Sequence, residues 1–350
     1  MRLLLLHTGG TLMMRGGDGA PSRRAASLDG SVEAHEVGPL EPDVYTQDLL
    51  AELPVLRKIA EIEARILFNL DSADMQPRHW VEIGRAVHAA LPRYDGVVIV
   101  HGTDTMGYTA SALAFLLPGL DRPVVLTGSQ RPLTDVRTDA RTNLVDACLM
   151  ATSGIPEVGV AFGSKLLRGC RATKVDAWGM SAFGSPSCAP LAELGVGVNL
   201  APHTLPSRPL QAFDDRIEPR VLAFRTFPGL DPRLVMGALG AGVKGLVVEA
   251  FGTGNLPIKE SSLIPVLEAA RAIDVPVVIV SQSPRGAVDL HRYAGGAAAA
   301  RAGAIGAGDM TPEAALAKLM ITLGRVGQEG AVRAAREAFS RSWAGEVSEV

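Results

Sequence analysis

The sequence predicts an α/β protein, with a larger N-terminal domain built on a doubly wound, mostly parallel sheet and a smaller C-terminal α/β domain. Short runs rich in Val, Ile and Leu alternate along the chain with segments of helical periodicity, which is typical of strands joined by helices. The length of 350 residues exceeds the usual size of one compact core. We therefore expect residues 1–195 to form the first domain and residues 220–350 the second, joined by a linker over 196–219.

The elements of the first domain follow from these two patterns. Apolar runs that suit burial on both faces of a parallel sheet predict strands at 2–6, 65–69, 96–100, 123–126 and 158–162. Helical periodicity predicts helices at 77–91, 106–117 and 139–150. The second of these is apolar nearly all round, so we expect it to be buried, and the third begins at Asp139, which can cap free backbone N–H groups.

The second domain repeats the alternation after a break. The linker has three prolines within eight residues (202–209) and no sustained periodicity. Beyond it we expect strands at 221–227, 245–251 and 276–282, and helices at 231–242, 263–273 and 311–323. The Ala- and Gly-rich stretch 295–308 is predicted as a connection. Residues 12–45 lack apolar periodicity and are predicted as either a functional lid or a disordered segment.

Composition excludes several classes of function. The 34 basic and 37 acidic residues give a net charge of −3, which offers no footprint for nucleic acid or an anionic membrane. No apolar stretch is long enough to span a bilayer, and the leading LLLL is too short for a signal peptide. Cys148, Cys170 and Cys188 show neither metal-ligand spacing nor a disulfide framework. We expect a cytoplasmic protein without a metal, a cofactor, a nucleic-acid partner or a membrane partner.

Polar residues gather where four predicted strands of the first domain end. These segments are His7–Thr11, Leu70–Asp74, His101–Thr105 and Thr127–Arg131. The carboxyl ends of parallel strands lie along one edge of a sheet, which is where α/β proteins bind ligands. The sequence therefore predicts a small-molecule site at this edge.

A phosphate-binding loop is the first alternative for the stretch His7–Thr11. TGGT lacks the spacing of G-x-G-x-x-G, and nothing in the chain matches G-x-x-x-x-G-K-[ST]. The residues after Thr11 are Leu-Met-Met-Arg-Gly-Gly rather than a capped helix that could face a phosphate. These observations disfavour nucleotide binding.

A reactive hydroxyl is the better interpretation of the same stretch. Paired glycines allow close approach of a ligand, which would leave the Thr11 hydroxyl accessible. Such a hydroxyl needs an adjacent base, and the histidines form no Ser-His-Asp pattern. Lys174, which follows the strand at 158–162, is a candidate because a desolvated lysine can act as a base. Spacing leaves open whether Lys174 reaches Thr103 or Thr11.

Several motifs together resemble the bacterial-type L-asparaginase family, closest to its cytoplasmic type I branch. They are TGGT at 8–11, DSADM at 71–75, HGTDTMGYTASAL at 101–113, TGSQRPL at 127–133, RATK at 171–174 and EAFGTGN at 249–255. HGTDTM is a specific signal, whereas TGGT alone is a weak one. The resemblance covers nearly the whole chain.

The resemblance implies a two-step hydrolysis of an amide. Thr11 matches the family's nucleophile, which forms an acyl-enzyme and releases ammonia before water releases the acid. Thr103, Asp104 and Lys174 match the group that activates the nucleophile or the water.

The resemblance also implies how the substrate is bound. Asp104 matches the carboxylate that pairs with the substrate's α-ammonium, and Ser72 the residue that holds its α-carboxylate. Asp71, in the same motif as Ser72, and Thr103 complete the expected set within this domain. Asn255 matches a polar residue that family members often present to a neighbouring subunit, although an Asn in a Gly-rich turn also has a purely structural explanation. The family implies a homodimer or homotetramer.

Two departures from the family pattern affect these expectations. Family members carry a tyrosine on the loop after TGGT, but residues 12–44 contain none, and the nearest is Tyr45. Three explanations are open: another hydroxyl takes the place of this tyrosine, Tyr45 folds back toward Thr11, or the acylation step is impaired. Ala73 stands where a polar side chain often helps to bind the substrate's amino group, which affects substrate choice.

The leading hypothesis is an amidohydrolase that converts L-asparagine to L-aspartate, with L-glutamine as the alternative substrate. An asparaginase-like component of a tRNA-dependent amidotransferase is a second enzyme hypothesis. That component carries an extra N-terminal module, which we expect a chain beginning at its TGGT strand to lack. A non-catalytic amino-acid-binding protein is the hypothesis from another class. The set Thr103, Asp104 and Lys174 argues against it, because a binder needs no hydroxyl–base pair.

Overall fold

Sixteen strands and eight α-helices make up the part of the chain described by a computed structural model, namely residues 1–10, 12, 14–16, 40–42, 53–327 and 329–348. The strands are β1 (Arg2–Gly9), β2 (Met14–Gly16), β3 (Leu40–Pro42), β4 (Glu61–Leu70), β5 (Gly96–Val100), β6 (Val124–Thr127), β7 (Val158–Phe162), β8 (Lys165–Arg168), β9 (Thr173–Lys174), β10 (Phe183–Gly184), β11 (Ala192–Leu194), β12 (Val198–Leu200), β13 (Val221–Arg225), β14 (Gly245–Ala250), β15 (Val277–Ser281) and β16 (Ile305–Gly306). The helices are α1 (Pro77–Ala90), α2 (Met106–Leu116), α3 (Ala140–Ala151), α4 (Pro232–Gly240), α5 (Ile264–Ala272), α6 (Ala294–Ala302), α7 (Pro312–Val326) and α8 (Ala331–Phe339).

An eight-stranded sheet organises the N-terminal domain. Its order is β12-β11-β8-β7-β6-β5-β1-β4, and the five strands from β7 to β4 run parallel. The strands β8, β11 and β12 extend the sheet antiparallel to their neighbours. Alternate side chains of β1 enter two cores: Leu4 and Leu6 lie on one face and Leu3 and Leu5 on the other. Helices therefore cover both faces, as the doubly wound prediction requires.

A smaller sheet organises the C-terminal domain. Its four strands, in the order β13-β14-β15-β16, are all parallel. Two short antiparallel ribbons, β2 with β3 and β9 with β10, lie outside both sheets. The fold class predicted from the sequence is confirmed: two α/β domains, of which the first has the larger and mostly parallel sheet.

Three local expectations need correction. The stretch 295–308, predicted as a connection, contains most of α6 and all of β16. Alanine favours helix strongly, and a Cβ at Gly295 would lie 2.2 Å from the Leu256 carbonyl oxygen, so this glycine serves close packing rather than a turn. The segment 196–219, expected as a linker, includes β12 at the edge of the large sheet, and residues 201–220 form neither helix nor strand. The antiparallel strands β8, β11 and β12 are absent from the predicted elements.

The two domains meet through α7 and the C-terminal tail. Helix α7 packs on α2, and its Lys318 forms an ion pair with Glu346 in which neither side chain is exposed. The Glu346 carboxylate also accepts hydrogen bonds from the backbone N–H groups of Trp343 and Ala344, at 2.9 and 2.8 Å. The tail is thereby folded onto α7. No helix in these described segments is long and apolar enough to cross a membrane.

Candidate active site

The described residues of the four polar segments lie together at one edge of the large sheet, as the sequence predicts. They follow β1, β4, β5 and β6, which are adjacent in the order β6-β5-β1-β4 and run parallel. Because the strands share one direction, their carboxyl ends meet at the same edge.

Glycines bring three of these segments into backbone contact. Gly9 and Gly10 have φ angles of +105° and +97°, which L side chains rarely adopt. A Cβ at Gly10 would lie 2.4 Å from the Gly102 nitrogen, and a Cβ at Gly102 would lie 2.6 Å from the Ser72 hydroxyl. The glycines place no side chain of their own at these contacts, so the segments after β1, β4 and β5 approach closely.

Thr103, Asp104 and Lys174 form one hydrogen-bonded group. The Lys174 ammonium donates to Thr103 Oγ1 at 2.9 Å and to Asp104 Oδ1 at 2.6 Å. Thr103 is 6% exposed, whereas the side chains of Lys174 and Asp104 are 21% and 64% exposed. The buried hydroxyl is thus in contact with a lysine whose partner carboxylate faces solvent. Lys174 reaches Thr103, which spacing alone leaves open.

Gln130 is a member of this group that the sequence did not single out. Thr103 Oγ1 donates to Gln130 Oε1 at 3.2 Å, and Gln130 Nε2 donates to the Gly179 carbonyl at 3.3 Å. The Gln130 backbone N–H donates to the Asp139 carboxylate at 2.9 Å, which fixes the loop after β6. The Thr103 hydroxyl therefore both accepts from Lys174 and donates to Gln130. The motif TGSQRPL carried the signal, but nothing local marked its glutamine.

Ser72 and Asp71 lie in the turn after β4. Ser72 is buried, and the Thr105 hydroxyl donates to its carbonyl at 2.8 Å, which ties this turn to the loop after β5. The exposed Asp71 accepts a hydrogen bond from the Ala73 N–H at 2.9 Å and caps the 3₁₀ turn Ser72–Asp74. Asp71 therefore caps the turn through the Ala73 backbone N–H, and its role in binding the substrate stays a prediction.

Asn255 lies apart from these residues, in the turn after β14 of the other domain. Its backbone N–H donates to the Phe251 carbonyl at 2.8 Å, and its side chain lies against Gly295 of α6. Within one chain, therefore, Asn255 is part of a tight turn in the C-terminal domain.

Thr11 and Tyr45 are outside the described residues. The two chain neighbours of Thr11 are described and are both held at the edge. Gly10 contacts the loop after β5, and the buried Leu12 accepts a hydrogen bond from the Leu133 N–H at 3.1 Å.

Two buried histidines, His7 and His101, lie at this edge of the sheet and stay neutral near pH 7. Burial lowers the pKa of His101 from 6.5 to about 4, although a hydrogen bond with the Gly102 carbonyl opposes the shift. His101 Nδ1 donates to that carbonyl at 2.7 Å, so Nε2 accepts from the Thr109 hydroxyl at 2.9 Å. Burial also lowers the pKa of His7 to about 4. Both imidazoles are neutral structural groups.

Side chains that could ligate a metal do not converge in the described part of the chain. No group of three or more His, Cys, Asp or Glu side chains among these residues could hold a metal ion.

Comparison with known families gives two matches that span most of the chain. The family described as "Asparaginase, N-terminal" matches residues 2–205. The family described as "Glutaminase/Asparaginase C-terminal domain" matches residues 220–335.

Individual relatives agree with these matches. The L-asparaginase of Thermococcus kodakarensis is 39% identical over 353 residues, covering 99% of both chains. L-asparaginase 1 of Escherichia coli K12 is 39% identical and covers 80% of this chain and 82% of its own. A glutamyl-tRNA(Gln) amidotransferase component from Pyrococcus furiosus is 34% identical and covers 99% of this chain and 76% of its own. The solved structure of the thermostable L-asparaginase from Thermococcus kodakarensis is similar with a TM-score of 0.86, at 37% identity and full coverage of both chains.

We predict that Gly10→Ala destabilises the protein more than a glycine substitution that only strains the backbone. Gly242 is the matched control, because its φ is +90° and no atom lies within 4 Å of an added Cβ. Both variants carry the left-handed penalty, but Gly10→Ala also collides with Gly102, which costs about 1–3 kcal/mol more. Urea denaturation measures both values. Equal losses would show that the contact between the loops is not tight.

We predict that stability falls as the pH is lowered from about 7 to about 5, and that His101→Gln flattens this dependence. The unfolded histidine takes up a proton near its ordinary pKa of 6.5, whereas folded His101 stays neutral down to about 4. The unfolded state thus binds more protons in this window, which removes about 2 kcal/mol per buried histidine by about pH 5. Urea midpoints across the pH range test this, with the exposed His291→Gln as control. An unchanged slope in His101→Gln would contradict it.

Proposed function

The chain belongs to the asparaginase family, and we propose that it hydrolyses L-asparagine to L-aspartate and ammonia. The observation that carries the proposal is the hydrogen-bonded group of Thr103, Asp104 and Lys174 at the carboxyl edge of the large sheet. It provides a buried hydroxyl next to an amine that can exchange a proton with it, and a carboxylate at the entrance. This combination suits hydrolysis of a zwitterionic amide better than binding alone.

The proposed reaction has two steps. The Thr11 hydroxyl attacks the side-chain amide carbon of the substrate, so that a C–O bond forms, the C–N bond breaks and the nitrogen leaves with a proton as ammonia. Water then attacks the resulting ester, which releases L-aspartate and restores the Thr11 hydroxyl. Each step needs a group that removes a proton from the attacking oxygen and delivers one to the leaving atom.

The Thr103–Lys174 contact is proposed as the path for these protons. The Lys174 ammonium donates to Thr103, and the Thr103 proton is directed to Gln130. The partly exposed Lys174 ammonium first gives a proton to water, and the resulting amine then accepts the proton from Thr103. The Thr103 hydroxyl, next to the Lys174 amine, allows the same proton path to serve both steps. In this proposal it takes the place of the tyrosine that residues 12–44 lack.

Asp104 couples substrate binding to this path. Its exposed carboxylate is available to the substrate's α-ammonium, a charge-assisted contact worth about 1.5–3 kcal/mol. The contact of Asp104 with the substrate competes with its hydrogen bond from Lys174 at 2.6 Å. When it binds, the substrate's ammonium draws the Asp104 carboxylate away from Lys174. We therefore propose that the substrate itself prepares Lys174 to act as a base, while Ser72 receives the α-carboxylate.

A glutamine-directed amidase is the second candidate. The similarity to the amidotransferase component from Pyrococcus furiosus favours it, since that protein is 34% identical over nearly this whole chain. The same catalytic group would serve a substrate that is one methylene longer. Only the relative turnover of the two amides separates these candidates.

We propose a homodimer or homotetramer in which Asn255 completes the site of a neighbouring copy. Asn255 lies in the C-terminal domain, apart from the other site residues of its own chain, which supports this proposal. Its backbone hydrogen bond stays within its own turn. A cytoplasmic location is proposed as well, and is supported by the free state of all three cysteines.

We predict that Lys174→Met lowers kcat by about 100- to 10,000-fold, because it removes the proton path. Lys165→Met makes the same change at an exposed lysine and should leave kcat unaltered. Thr11→Ala and Thr103→Ala should abolish release of ammonia. The assay measures ammonia from Asn, Gln and small amides.

Each outcome of this assay bears on one hypothesis. Asn turnover that survives Thr11→Ala would remove the nucleophile assignment. Preference for Gln would favour the second candidate. Saturable binding of an amino acid with no ammonia above that of the variants would favour a binding protein.

We predict that inactive Thr103→Ala and inactive Asn255→Ala proteins regain turnover when unfolded together and reassembled. A mixed oligomer contains one site with an intact Thr103 and an intact neighbouring Asn255. Each variant reassembled alone is the control. A monomeric wild type in analytical ultracentrifugation, or the absence of regained turnover, would contradict the shared site.

A further inference from the structure

The strand that carries Lys174 belongs to neither main sheet. β9 is two residues long and pairs only with the equally short β10, among the strands that the structure describes. A strand so short has few hydrogen bonds of its own to fix it. The position of Lys174 against Thr103 therefore depends on what holds residues 171–174 from outside.

The C-terminal domain supplies that support through the residues just before and at the start of α7. Arg171, whose side chain is buried, forms an ion pair with Asp309 at 3.0 Å and donates to the Gly345 carbonyl at 2.8 Å. Two residues along, the Thr173 hydroxyl donates to Glu313 Oε1 at 2.6 Å. Residues 309–313 thus hold both ends of the segment that leads to Lys174.

Glu313 also lies against the helix that follows Thr103 and Asp104. A Cβ at Gly107, in the first turn of α2, would lie 3.0 Å from the Ala172 carbonyl oxygen and 3.7 Å from Glu313 Cγ. A larger residue at Gly107 would push these elements apart. Glu313 therefore sits where the backbone behind Thr103 and the backbone behind Lys174 meet.

Burial of the Glu313 carboxyl at this position lowers the free energy of unfolding. Its Oε2 is sealed from solvent and has no hydrogen-bond partner among the described residues. Burial raises the pKa of Glu313. The hydroxyls of Thr173 and Thr311 and the Glu313 backbone N–H oppose the shift, and the charge of Glu249 adds to it. Burial raises the pKa of neighbouring Tyr108 too, and the charges of Glu313 and Glu249 add to it. An apolar residue could start α7 without this cost, because Thr311 caps the helix by accepting from the Ala314 N–H at 3.1 Å.

We propose that Glu313 is a positioning residue for the reaction, which fixes β9 through Thr173 and so holds the Lys174 ammonium against Thr103. The C-terminal domain thereby sets the geometry of a catalytic group that lies entirely in the N-terminal domain. The inference rests on the proposed function in so far as Lys174 carries protons during turnover.

The test compares variants that delete the Thr173–Glu313 bond with variants that keep it. Thr173→Val and Glu313→Ala each remove the bond and should lower kcat by about 10- to 100-fold with little change in KM, because the amine is misplaced while substrate contacts remain. Thr173→Ser and Glu313→Gln keep a donor and an acceptor and should retain most of the turnover. The double variant Thr173→Val with Glu313→Ala should be no worse than the poorer single variant, because both remove one interaction.

Thr322→Val is the matched control for a general loss of stability. Its buried hydroxyl donates to the Lys318 carbonyl at 2.7 Å within the same helix α7, with no contact to β9. It should lower the melting temperature without changing kcat. If Thr173→Val lowers kcat no more than Thr322→Val does, or if the two deletions multiply, Glu313 is not a positioning residue.

A readout independent of turnover separates this inference from the proposed function. The chain has six lysines, so the side-chain ammonium resonance of Lys174 can be assigned by NMR with Lys174→Arg. Thr173→Val should shift that resonance, whereas Thr322→Val should not. A wild type that hydrolyses no amide, but shows this shift, would overturn the proposed function and leave the positioning role in place. An active wild type with an unmoved Lys174 resonance in Thr173→Val would overturn the positioning role alone.

Discussion

The close contact that glycines permit between the loops after β1, β4 and β5 is the constraint on which the site depends. Gly10 leaves no room for a Cβ against Gly102, and Gly102 leaves none against Ser72. Because the glycines add no side chain there, the loop that contains Gly10, the turn with Ser72 and the loop with Thr103 meet at one point. The parallel sheet sets the direction of these loops, but the glycines set their distance.

Lys174 is held in place in a different way. Thr103 and Asp104 follow a central strand whose neighbours fix it on both sides. Lys174 comes from a two-residue strand outside the sheet, and the other domain supports it through Arg171 and Thr173. A chain of contacts thus runs from Thr103 through Lys174 and Thr173 to Glu313. The N-terminal domain carries Thr103 and Lys174, and the C-terminal domain holds the segment that leads to Lys174.

The sequence predicted what depends on local pattern and on the geometry of parallel sheets. The strands at 96–100 and 158–162, the buried helix from Met106 and the four polar segments at one edge are of this kind. The contact of Lys174 with Thr103 joins residues 71 positions apart, and no period in the sequence encodes it. Gln130 and Glu313 were missed for the same reason. The strands β8, β11 and β12 are three or four residues long and are stabilised by pairing rather than by their own pattern.

The site residues bond to one another, and the proposed turnover begins from this arrangement. The hydroxyl of Thr103 has one partner that donates and one that accepts, and the ammonium of Lys174 has its carboxylate. In the proposed reaction the Thr103 proton moves to Lys174, so the bond that directs it to Gln130 must first be exchanged. Asp104 is the most exposed member, and in the proposed reaction it is the one that the substrate ammonium contacts. An amide without an α-ammonium would leave the Asp104–Lys174 pair intact. Selectivity for amino-acid amides would then arise from activation of the base as well as from binding.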